Sequence, residues 1–317
     1  MTKEEVAAAF SRGPSSRHWN LYARDEKSGT WDTFKDRVLG SSALASAKRF
    51  EDSRELATAV SRDPDGIGFV GLPYAVGVKV LKIADRGAIA LRPNTLTVRT
   101  EDYPLSRRLY FYVPANAKPE AREFVRFALS PPPGQEVVEK AGFVGQKPEI
   151  AAAAETPRDA PAGYVQLILQ SDRLTQDFRF RTGSSVLETK AVDDLKRLST
   201  AMAGQYSGCS LILIGFADAT GSAAANKNLT ERRAQAVADQ LKSEGIVPVL
   251  VTGFGHKLPV ADNSTEDGRE RNRRVESLAA EVTDSPTRPS QKHHSSAGSS
   301  GPSRPHRTTT PAAFDPY

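Results

Sequence analysis

The chain predicts a mixed α/β and α+β protein: two folded regions in series followed by a polar tail. Three observations carry this. Residues 1–145 alternate strand-like and helix-like stretches. Residues 164–281 hold a continuous apolar run, Ser210–Ala217, flanked by segments with apolar residues at helical spacing. From Val282 onward the chain is Ser, Pro, Thr, His and Arg with hardly an apolar side chain.

In the first region, Tyr22–Phe34 reads as a short strand, a small-residue turn and a helix. Ser28, Gly29 and Thr30 at that helix start offer backbone N–H groups and hydroxyls to an anion. Arg24, just before the turn, adds a guanidinium that suits an oxyanion. Residues 146–163 have the Pro, Ala and charge composition of an interdomain linker.

The second region, 164–281, predicts a β/α/β/α/β layout with helices packed on a mixed sheet, a two-layer domain. A strand is expected near Phe178–Phe180. A helix over about Glu188–Gly204 follows from Leu187, Ala191, Leu195 and Leu198 falling on one stripe. The run Ser210–Ala217 suits a strand covered on both faces. A second helix, about Ala223–Gly245, carries Ala234, Val237, Ala238 and Leu241 at helical spacing and ends at Gly245. Strands at Val249–Gly253 and Arg274–Ala279 complete the sheet. The tail, 282–317, cannot bury enough surface to offset its ordering entropy and is expected to be disordered. Its His293-His294 pair lacks further ligands at regular spacing, so no metal site and no cofactor is expected.

With 317 residues, two domains each have room for a core. The net charge of +5 suits an anionic surrounding, but Lys and Arg are interleaved with Asp and Glu. No basic face with stacking aromatics stands out, which argues against nucleic acid. No apolar run approaches a bilayer span, and Met1–Val6 lacks the features of a signal peptide. Cys209 excludes an internal disulfide and reads as a small apolar residue.

The stretch Phe216-Ala-Asp218-Ala-Thr220-Gly221 and then Asn226-Lys-Asn228-Leu229-Thr230-Glu-Arg-Arg233-Ala234 resembles the signature of the OmpA-like peptidoglycan-binding domain. The segments Gly253–Thr265 and Gly268-Arg-Glu-Arg-Asn272-Arg-Arg274-Val275-Glu276 are similar to its closing part, with spacing preserved from about Asp177 to Glu281. The resemblance implies peptidoglycan as partner and ligand contacts at Asp218, Thr220, Asn226 and Arg233, with Arg274 supporting them. Diaminopimelate in the stem peptide carries an ammonium and a carboxylate at its side-chain end. Asp218 suits the first and Arg233, a planar bidentate donor, the second. Asn226 and Arg233 lie two helical turns apart on one face. The plainer alternative is a structural salt bridge between Asp218 and Arg233, with Asn226 only capping a helix. Gly183 stands where the family often has Asn or Asp, so that contact falls to backbone or Ser184. No nucleophile–base pair is present, and no enzyme is expected.

The segment Arg24-Asp25-Glu26-Lys27-Ser28-Gly29-Thr30 resembles the phosphate loop of periplasmic phosphate-binding proteins, a type II periplasmic-binding-protein fold. This implies phosphate or another oxyanion held by Arg24, Glu26, Ser28, Gly29 and Thr30. Glu26 replaces the usual Asp and Lys27 the usual Gly. Pro64-Asp-Gly66-Ile67-Gly68-Phe69 resembles a strand of that family, Tyr103–Tyr110 its return hinge strand, and Ala121–Leu129 with Pro131–Gln135 its late helix. Thr2–Gly13, with Trp19 after it, resembles a mid-chain segment. The domain is therefore expected to be N-terminally incomplete, the signal peptide lost with the missing part and phosphate affinity weak or absent.

The combined expectation is a wall-anchoring domain that tethers a phosphate-binding-like domain in the periplasm or at the outer membrane. Two alternatives stay open. In one, phosphate capture for an ABC transporter permease is primary; in the other, the first domain has lost its ligand and only anchoring remains.

Overall fold

In the computed structural model, the described residues are 1–11, 18–130, 133–151, 156–157, 159–187 and 189–281. The expected tail, the His293-His294 pair, Gly13, Pro131 and part of the 146–163 stretch lie outside them.

Helix α1 (Lys3–Ser11) packs on a small parallel sheet of order β2-β1-β3, formed by β1 (Asn20–Arg24), β2 (Lys48–Phe50) and β3 (Gly66–Gly68). Between β1 and β2 run α2 (Gly29–Phe34) and a π turn at Lys35–Leu39. Helix α3 (Ser53–Ser61) joins β2 to β3, and Asp52 caps its start by accepting from the Arg54 and Glu55 N–H groups. Helical crossovers of this kind are what parallel neighbouring strands require. Phe10, Phe34 and Phe69 form its aromatic centre, the last two stacked at 3.9 Å between ring centroids.

Helices α4 (Thr95–Arg99), α5 (Pro119–Leu129) and α6 (Gly134–Lys140) follow. The Tyr103–Tyr110 stretch, expected as a strand, forms no ladder, because among the described residues no other strand runs beside it to share its backbone groups.

Helix α7 (Ala162–Gln170) leads into a four-stranded sheet of order β4-β7-β5-β6, made of β4 (Asp172–Arg179), β5 (Cys209–Gly215), β6 (Leu250–Gly253) and β7 (Arg274–Glu281). Helices α8 (Thr189–Ala203) and α9 (Ala223–Ser243) cover one face, and α10 (Glu266–Asn272) precedes β7. The mixed sheet is as expected: β7 is antiparallel to β4 and β5, and β5 is parallel to β6. Leu195, Leu198, Leu211, Leu213, Val237 and Leu241 meet in the core beneath α8 and α9. The opposite face buries Ile212, Ile214, Phe216 and Leu278 against Tyr164 of α7 and Leu258. Both faces of β5 are thus covered, which explains its unbroken apolar run.

Met1–Val282 forms one compact unit. Ile150 bridges Leu174 antiparallel, so the chain just after the first region lies along the edge of β4. Arg99 of α4 reaches the same edge and donates to the carbonyls of Thr175, Gly145 and Gln146 and to the Gln176 side chain. Arg179 of β4 returns the contact, pairing with Asp102 at 2.7 Å. The stretch expected as a linker therefore contains backbone held against β4, and its last two residues begin α7.

Candidate functional site

The site grows from a close approach between α9 and the sheet. Gly215 ends β5 and Gly253 ends β6, and any Cβ there would strike the backbone or side chain of Thr230 in α9. Two glycines thus let the helix lie directly on the strand ends. Past Gly215 the chain continues through Phe216 and Ala217 to Asp218, then turns at Gly221, whose φ of 92° suits a residue without Cβ. Ser222 caps α9 by accepting from the Ala225 N–H at 3.2 Å.

Asn226, Thr230 and Arg233 follow on the inner face of α9, all buried. Asn226 Nδ2 donates to the Asp218 carbonyl at 3.4 Å. Arg233 crosses to the loop after β4, donating through Nε to the Ser184 carbonyl at 2.9 Å and through Nη2 to the Arg181 carbonyl at 3.2 Å. Its guanidinium carbon lies 5.5 Å from the Phe180 ring centroid. Its remaining nitrogen, Nη1, is buried and has no hydrogen-bond partner among the described residues. Burial pushes the Arg233 guanidinium down to about 10, with repulsion from Arg273 adding to it and attraction from Asp218 opposing it.

The carboxylate of Asp218 accepts from the Thr220 N–H at 2.8 Å and from Arg273 Nη1 at 3.1 Å. Burial pushes this carboxyl up, but the Thr220 N–H and hydroxyl and the Arg273 guanidinium outweigh it, so the net shift is downward. Arg273 also donates through Nη2 to Glu266 at 2.8 Å and through Nε to the Phe180 carbonyl at 3.0 Å. Hydrogen bonds from Arg273, Arg269 and Thr182 hold the Glu266 carboxyl down to about 2. Asn272 fastens the loop before α10 by taking the Val260 and Ala261 N–H groups, and Asn263 accepts from the Ala219 N–H beside Asp218.

The structure therefore gathers Asp218, Thr220, Asn226 and Arg233 in one place and puts Arg274 elsewhere. Neighbouring residues at a strand start point to opposite faces. Arg273 reaches the Asp218 carboxylate, while Arg274 crosses to the other face, donating to Glu276 and the Leu258 carbonyl and lying 4.1 Å over the Phe216 ring. Arg273 is the residue that sequence reasoning missed. The doubled arginine was the available signal, since strand alternation sends only one of the two to the site. Gly183 has a φ of 66° and sits in the loop that supplies the Ser184 carbonyl to Arg233.

A second cluster lies at the start of α2. Ser28 caps it by accepting from the Thr30 N–H at 3.2 Å, and Arg107 donates to the Gly29 carbonyl and to Thr33. Arg24 turns toward the start of α3, donating to the Phe50 and Glu51 carbonyls and the Ser53 hydroxyl. Glu26 is exposed and faces Arg49 at 3.1 Å. Ser28, Gly29 and Thr30 thus stand together, with Arg24 and Glu26 directed away from them. Among the described residues, no group of carboxylate, His or Cys side chains is arranged to hold a metal, and no helix is long and apolar enough to cross a membrane.

The OmpA family model matches residues 179–273, which include every residue of the site around Asp218. Residues 179–273 are an OmpA domain. Residues 1–132 match a PBP superfamily domain. The OmpA half is similar to outer membrane porin F of Pseudomonas fluorescens, 39% identical over 111 residues, covering 34% of this chain and 34% of that one. A phosphate-binding protein PstS of Staphylococcus aureus is 28% identical over 132 residues, covering 39% of each chain. The chain thus spans well under half the length of these curated relatives. A peptidoglycan-associated lipoprotein of Burkholderia pseudomallei superposes on 33% of this chain and 89% of its own, at 21% identity and a TM-score of 0.31. Within the OmpA domain, the strand ends and α9 place the Asp218 carboxylate and the Arg233 and Arg273 guanidiniums together.

Proposed function

We propose that the OmpA domain grips the diaminopimelate of peptidoglycan stem peptides and so anchors the chain non-covalently at the cell envelope. The observation that carries this is Arg233 Nη1, a buried charged donor without a partner among the described residues, in the same site as the low-pKa carboxylate of Asp218. An unsatisfied buried N–H costs free energy, and a ligand carboxylate relieves that cost. Asp218 then takes the ligand ammonium, Thr220 and Asn226 shape the turn beside it, and Arg274 stiffens β7 from the far face. Residues 164–281 act as the anchoring region and residues 1–145 as its cargo; the role is binding, without catalysis. Isothermal titration of the full chain with a diaminopimelate tripeptide, against a lysine tripeptide lacking the terminal carboxylate, tests it. Binding of the first and not the second is expected; equal binding rejects the assignment.

A second reading is that the PBP domain retains oxyanion capture at Ser28, Gly29 and Thr30, with phosphate as the anion and an ABC transporter permease as partner. The observation favouring it is Arg107, which the fold brings next to Gly29 although it is far away in sequence. Arg24 and Glu26 would have to swing in from their present partners. Titration with inorganic phosphate, compared with Ser28→Ala and Arg24→Ala, decides it.

A further inference from the structure

Leu109–Val113, Leu-Tyr-Phe-Tyr-Val, is a run of five large side chains outside any helix or strand, each at least one-third exposed, with Tyr112 at 91%. Among the described residues, no backbone hydrogen bond reaches it. β-branched and aromatic residues in sequence are the composition of a strand, and a strand with open N–H and C=O groups is a template for pairing. The exposed apolar surface continues onto α5, where Phe124 meets Phe111 edge-on at 6.1 Å and Phe127 is 44% exposed.

We propose that this surface pairs with a second copy of the chain, Leu109–Val113 adding antiparallel to itself about a two-fold axis at Phe111. Area is the first argument. Phe111, Phe124 and Phe127 on one side and Tyr110 and Tyr112 on the other together expose roughly 600 Å², close to one partner's share of a stable dimer. Register is the second. Centred on Phe111, antiparallel pairing sets Leu109 opposite Val113 and Tyr110 opposite Tyr112, giving an apolar ladder on one face and a tyrosine ladder on the other. Charge is the third. A parallel in-register pair would stack Arg107 and Arg108 on their own copies, whereas the antiparallel pair sets them at opposite ends, against Pro114 and Ala115. Pro114 falls just past the ladder, where its missing N–H breaks no bond. The result is an isologous interface.

The experiment is sedimentation velocity on the full chain from low to high micromolar concentration, with Tyr112→Asp alongside. Tyr112 is almost wholly exposed, so the substitution leaves the monomer's fold and melting temperature unchanged while placing a carboxylate in the tyrosine ladder. The proposal requires wild type to approach twice the 34.3 kDa chain mass and the variant to stay at it across the range. Three results overturn it: wild type staying monomeric, whether bare or covered by another protein; the variant dimerising with equal strength; or open-ended aggregation unrelieved by Tyr112→Asp.

Discussion

The guanidinium of Arg273 meets the carboxylate of Asp218 at 3.1 Å in a buried pair, and the same guanidinium holds Glu266 with its other arm at 2.8 Å. Asp218 is thereby fixed in position and kept ionised before any ligand arrives. Arg233 of α9 carries an Nη1 that has no hydrogen-bond partner among the described residues. One arginine is spent on the anion and the other keeps a donor in reserve.

Asp218→Asn keeps the shape of the site and removes its charge. Affinity for the diaminopimelate tripeptide should fall by about 2 kcal/mol or more, roughly 30-fold, as calorimetry would record. Arg233→Lys should lose a comparable amount, because an ammonium cannot hold the Ser184 and Arg181 carbonyls and a ligand carboxylate in one plane.

Arg273→Met strands a buried carboxylate. The fold should lose about 3 kcal/mol, measured by urea unfolding at neutral pH, and Asp218→Asn in the same chain should restore part of it. If the double variant is no more stable than Arg273→Met alone, the two residues are not coupled.

Glu266 has a folded pKa of about 2 against an ordinary value of 4.5. A depressed carboxyl contributes stability above its unfolded pKa and loses it as pH falls through the folded one. Melting temperature should therefore decline between about pH 4.5 and pH 2, and less steeply in Glu266→Gln. Asp218, shifted the same way, adds to this acid-side loss.

Gly215→Ala drives a methyl group into the Thr230 carbonyl. A destabilisation of about 1–3 kcal/mol is expected, with weaker tripeptide binding because α9, carrying Asn226 and Arg233, is lifted from the strand ends. Unfolding and titration on the same sample check both.

Much of the OmpA half is legible from side-chain periodicity. The inner face of α9 was readable because Asn226, Arg233, Ala234, Val237 and Leu241 fall at helical spacing, and β5 because its apolar run is unbroken. The choice between Arg273 and Arg274 was not, because which of two adjacent residues faces the site depends on pairing register, here the Phe216–Arg274 backbone exchange. Helix α7 was missed because its start is Pro- and Ala-rich like the stretch before it. The Tyr103–Tyr110 segment has strand composition, but composition cannot supply a neighbouring strand. In the first region, the turn at Ser28 was readable from residue type, whereas the commitment of Arg24 to the Ser53 hydroxyl arises from long-range packing.

Arg99, clamped on the β4 carbonyls and on Gln176, has a mechanical consequence. A leash would let the two halves tumble independently, but a clamp at that edge makes them one rotor. Backbone relaxation rates should then give both halves a shared correlation time, and a force applied to β4 would travel into the parallel sheet of β1 without slack.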